Sequence, residues 1–132
     1  MIPSLCLAVG CLFVLAQGGC STVGHEIVPT GARDTLGPVP GDRDDVPRAL
    51  PIGLEAAEAA LLSGAWDGDT YTASFLIVED REGVATATDH GDGTLTLTAF
   101  VEPGGDLVAQ RRLLKAWARR LEQLHGVEWA PR

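Results

Sequence analysis

Few side chains in this sequence stand at spacings that could do chemistry. The histidines are His25, His90 and His125, and no H-x-x-x-H or H-E-x-x-H pattern joins them. A zinc site therefore has no local support. A serine nucleophile needs a histidine within hydrogen-bond reach. Ser63 falls at the end of an expected helix and Ser74 inside an expected strand, so neither spacing assembles a triad. There is no G-x-S-x-G, no P-loop and no G-x-G-x-x-G. Two acidic segments, Asp67-Gly68-Asp69 and Asp89-His90-Gly91-Asp92-Gly93, carry oxygen ligands of the kind calcium takes. Calcium wants six to eight oxygens from a longer loop. Asp and Gly are also the ordinary residues of tight turns, and the segments are read as turns. The sequence thus assigns no catalytic residue, no metal ligand and no cofactor. All three cysteines, Cys6, Cys11 and Cys20, fall in the first 20 residues, which leaves the rest without disulfide or thiolate chemistry.

Charge is the more informative signal. The 132 residues carry a net charge of −8, which argues against a nucleic-acid binder. The charge is unevenly placed. From Glu26 to Asp106 the net is −12, and from Leu107 to Arg132 it is +4. Arg111, Arg112, Lys115 and Arg119 fall within about 100° of one another on an expected helix. They form either a solvated helix face or a docking site for an anionic surface, lipid or protein.

The amino terminus carries an address. Leu5 to Ala16 is a run of twelve apolar or small residues, shorter than the roughly 20 a membrane span requires. Twelve suits the apolar region of a signal peptide. Gly18, Gly19 and Cys20 follow. This segment resembles a bacterial lipoprotein precursor, in which a short apolar run and small residues precede an acylated cysteine. Gln17 stands where that class usually has Leu, and residues 1–4 lack its Lys or Arg. The resemblance implies a lipidated (palmitate-bearing) Cys20, with Ser21 after it in place of the Asp of inner-membrane retention. It implies a lipid-anchored envelope protein at the outer membrane, facing the periplasm. A plain secretory signal, cut near Ala16 to Gly19, is the alternative.

The elements that must position these residues follow from periodicity. Residues 20–50 read as the lipidated Cys and a Pro/Gly-rich tether, without aromatics or a sustained apolar period. Residues 51–132 read as the folded domain. Ile52 to Ser63 has helical apolar spacing, with Pro51 suited to its start, the helix-forming run EAAEAALL and Gly64 as a stop. Tyr71 to Val78, Val84 to Thr88 and Thr94 to Val101 read as strands joined by short turns, which force antiparallel neighbours. Asp106 is an N-cap for a helix over Leu107 to Leu124. That helix has Leu107, Leu114, Trp117, Leu121 and Leu124 on one side, and Trp129 after it is expected to pack back.

The expected fold is α+β: helix, three-stranded antiparallel meander, helix, with both helices on one face. This layout is similar to small αβββα envelope lipoproteins of unknown function. A domain this small is compatible with a homodimer through a sheet edge or the Thr face. The expected function is a non-enzymatic binding or assembly module, with signal peptide 1–19. Its partners are the membrane, through the lipid, and another envelope protein, with no nucleic acid. The alternatives are a soluble secreted or periplasmic binding domain and a small carboxylate-dependent hydrolase.

Overall fold

The computed structural model describes residues 27–30 and 32–127. The signal-like segment, Cys20, His25 and Trp129 lie outside them. The architecture has two layers, an antiparallel sheet with two helices on one face. In chain order the elements are β1 (Ile27–Thr30), β2 (Arg33–Pro40), α1 (Val46–Ala56), β3 (Ala60–Asp67), β4 (Thr70–Ile77), β5 (Arg81–Asp89), β6 (Thr94–Val101) and α2 (Leu107–Leu124). Five strands are eight or nine residues long, and the four-residue β1 lies on the margin. The spatial order is β1-β2-β6-β5-β4-β3.

The three-stranded meander is therefore wrong, and three strands were missed. β1 and β2 lie in the stretch read as a tether. Leu36 and Val39 of β2 are fully buried, and β2 pairs with β6 through Leu36↔Leu97 and Val39↔Leu95. The register shifts between Leu36 and Val39, over Gly37 and Pro38, which breaks the alternation a strand would show. The folded unit begins in that stretch, not at residue 51.

The first helix is also displaced from Ile52–Ser63. It starts six residues earlier, with Pro47 in its first turn, and Pro51 lies inside it. It ends at Ala56, where Glu58 takes a left-handed conformation with φ 56°. Glu58 N–H donates to the Glu55 carbonyl at 3.0 Å, and Ala59 N–H donates to the Leu54 carbonyl at 2.8 Å. This is a Schellman closure built without the usual glycine. The chain then reverses, and Ala60–Asp67 pairs with β4 as an edge strand. Tertiary pairing overrides the helix propensity of Ala60, Leu61 and Leu62.

β4, β6 and α2 match their expected residues to within one position. Tyr71, Ala73, Phe75 and Ile77 of β4 and Leu95, Leu97, Ala99 and Val101 of β6 are buried toward the helices. The small Ala85 and Ala87 of β5 lie between them, leaving room for the large side chains. The other face carries a row of Thr35, Thr98, Thr86 and Thr72 across four strands. Gly53 lets α1 and α2 approach closely. A Cβ there would sit 2.9 Å from the Leu113 carbonyl oxygen and 3.0 Å from the Trp117 Cβ. Among the described residues no helix is long and apolar enough to cross a membrane.

Candidate functional site: the basic face of the last helix

α2 presents two faces. Leu113, Leu114, Trp117, Ala118, Leu121 and Leu124 are buried, and the Trp117 indole N–H donates to the Val46 carbonyl at 3.2 Å. Leu107, the first residue of the helix, departs from the expected stripe and is 51% exposed. Asp106 caps the helix by accepting from the Ala109 N–H at 3.1 Å, and Arg81 Nη2 lies 2.8 Å from its other oxygen. The Ala109 N–H first, and the Arg81 guanidinium next, hold the Asp106 carboxyl below the usual carboxylate range.

Arg111, Arg112, Lys115 and Arg119 are all exposed on the opposite face. They do not form one uniform patch. Arg111 Nε lies 3.8 Å from Asp34 Oδ1, so this cation serves a carboxylate that is fully buried. Arg112, Lys115 and Arg119 make no ion pair with another described residue. Lys115, Arg119 and the acidic Glu122 border a cleft of about 280 Å³ floored by Leu36 and Ala118. Arg119 also borders a cleft of about 180 Å³ between the helices, beside Ile52 and Arg120. Arg112 borders a third, of about 150 Å³, with Val78 and Val108 and with Glu58, Arg81 and Asp106. Charged head groups thus flank apolar floors. Acids share two of these clefts, Glu122 in the first and Glu58 and Asp106 in the third.

Beneath the face is a buried polar network that the sequence reading did not find. Gln110 is fully buried, and its Oε1 accepts from the Val101 and Asp106 N–H groups, each at 2.9 Å. Its Nε2 donates to Asp34 Oδ2 at 2.9 Å and to the Ala32 carbonyl at 3.1 Å. This side chain locks α2 to β2 and β6. Asp34 Oδ1 has no hydrogen-bond partner, which leaves Arg111 as its compensation.

The remaining suspects are structural. His90 bonds Thr96 Oγ1 at 2.7 Å, and His125 Nδ1 lies 3.0 Å from Asp42, so neither described histidine meets a serine. Ser63 and Ser74 face one another across β3 and β4. Asp89 accepts from the Gly91 N–H and Asp92 from the N–H and hydroxyl of Thr94, the pattern of turn residues. Gly68 offers its carbonyl to Arg43, whose guanidinium stacks on Trp66 at 3.8 Å. Among the described residues no three metal-binding side chains cluster. Glu58 and Asp106 share the cleft beside Arg112, but Asp106 is committed to its cap and to Arg81. Held ionised, it is not poised to donate a proton near neutral pH. No family model matches the chain, and no curated protein shows significant similarity to it.

Proposed function

We propose that this is a lipid-anchored protein of the bacterial cell envelope, held by Cys20 at the outer membrane and facing the periplasm. Its folded unit is a non-enzymatic binding module that docks through α2 on an anionic envelope surface. The observation that carries this reading is the exposed trio Arg112, Lys115 and Arg119, cations without an ion-pair partner among the described residues on a chain of net charge −8. Among the described residues no carboxylate pairs with these three cations, which leaves their head groups open to an outside anion. They suit attraction to an acidic partner surface, at about 1 kcal/mol per cation near an anionic membrane. The lipid-like address supports the same reading, because a tethered domain meets the membrane at high effective concentration. Intact-mass measurement of the full chain from bacterial membranes is the first test. The expected mass is that of a chain beginning at an acylated Cys20, with Cys20→Ala lost from the membrane fraction. An unmodified chain, released with or without Cys20, would instead support the soluble secreted form.

A further inference from the structure

We infer that β3 is a homodimerisation edge, and that two copies join β3 to β3 antiparallel about a two-fold axis near Gly64 and Ala65. β3 ends the sheet and bonds only to β4. Seven of its eight residues are exposed, and Leu61 and Leu62 are 49% and 52% exposed. An edge strand displays a row of N–H and C=O groups that another strand satisfies best, so natural edges carry charge, proline or short length as guards. From Ala60 to Trp66 there is no charge and no proline. The opposite edge is guarded, since β1 has four residues and includes Pro29. The irregularity at Leu62 confines regular pairing to the Ser63–Asp67 half, which places the axis near Gly64 and Ala65.

The sequence of β3 is complementary to itself in this arrangement. Asp67 of each copy lies against the Leu61–Ser63 end of the other, so no acid opposes an acid. Gly, Ala and Ser meet at the axis, while the Trp66 ring stays packed on Tyr71 beneath Arg43 of its own copy. A second copy therefore supplies what the edge lacks, an equally uncharged and equally exposed strand. The product is one continuous sheet with the basic face of α2 repeated on the same side, which doubles the cations presented to a surface.

The test uses the full chain with Ala65→Cys, oxidised and separated without reductant. Cα atoms directly opposed at the axis of an antiparallel pair are about 4.5–5.5 Å apart, within disulfide reach. The expected result is a cross-linked dimer of this chain. Thr72→Cys, one strand further in, should give no more dimer than the wild type, whose cysteines all lie in the first 20 residues. Ala65→Lys, which sets two ammonium groups face to face, should sediment as a monomer with an unchanged circular dichroism spectrum and a melt that no longer rises with protein concentration, and mixing it with Ala65→Glu should restore the dimer. Cross-linking of Ala65→Cys no greater than that of Thr72→Cys would overturn the inference. So would its linkage to a different protein, or a wild type that stays monomeric up to about 0.5 mM.

Discussion

Replacing Gln110 with Leu nearly preserves side-chain volume and removes every hydrogen bond of the buried network. Four groups lose their partner: the N–H of Val101 and Asp106, the Ala32 carbonyl and Asp34 Oδ2. The bonds to Asp106 and Ala32 are only part-buried, so water can replace them at small cost. The bonds to Val101 and Asp34 are buried, and water cannot. An orphaned buried polar group costs about 1–3 kcal/mol, and a charged one more. Asp34 would then hold both carboxylate oxygens without a hydrogen bond, facing only Arg111 at 3.8 Å. The expected loss is about 3–6 kcal/mol, a large share of the roughly 5–15 kcal/mol that holds a domain folded. Denaturant unfolding followed by circular dichroism measures it, with the exposed Gln123→Leu as a control expected within about 0.5 kcal/mol. The double variant Gln110→Leu with Asp34→Leu should cost less than the sum of the two singles, because it removes both partners together. A Gln110→Leu effect under about 1 kcal/mol would refute the network as the lock between α2 and the sheet.

Three further outcomes are expected. Trp117→Ala should lose about 3–5 kcal/mol by opening a cavity at a fully buried site, whereas Arg112→Ala and Lys115→Ala should each stay within about 0.5 kcal/mol; thermal melts separate them, and the reverse ranking would invert the faces of α2. The folded-state carboxyl of Asp106 lies below its unfolded value of about 3.9, so its contribution is present above that pH and is lost as pH falls through the folded value. Asp106→Asn keeps a capping oxygen but loses the charge facing Arg81, so it should lower stability at neutral pH by about 0.5–1 kcal/mol and make the acid limb of a stability–pH curve shallower, and an unchanged limb would contradict this. Glu58→Gly should raise stability by up to about 1–2 kcal/mol, since glycine adopts the left-handed closure of α1 without a Cβ clash; a lowered melting temperature would contradict it.

The legible elements were those whose physics is local. β6 alternates Thr with buried Leu, Ala and Val, and α2 repeats its apolar residues at helical spacing after an Asp cap. The cations of α2 could be placed for the same reason, since a correctly phased helix fixes both of its faces. β2 was hidden because its buried residues, Asp34, Leu36 and Val39, are interrupted by the bulge over Gly37 and Pro38. Two proline-rich turns of composition also describe a tether, and only pairing with β6 distinguishes the two. β3 was hidden because Ala60 to Leu62 are good helix formers and the strand lies exposed, so no alternation marks it. The helix stop at Glu58 lacks the glycine that signals such a stop. The Asp34–Gln110 contact joins residues 76 apart, and no local pattern announces it.

Binding to vesicles tests the central claim most directly. A chain beginning at Ser21 lacks both the apolar run Leu5 to Ala16 and Cys20, so whatever binding remains belongs to the residues after them. It should co-sediment with vesicles containing anionic phospholipid but not with purely zwitterionic ones, and binding should weaken as salt rises. Reversing Arg112, Lys115 and Arg119 to Glu should abolish co-sedimentation, with circular dichroism showing the fold retained, because these side chains have no ion-pair partner among the described residues. Equal binding to both vesicle types, no binding to either, or binding unaffected by the triple reversal would contradict the assignment of the α2 face as the docking surface.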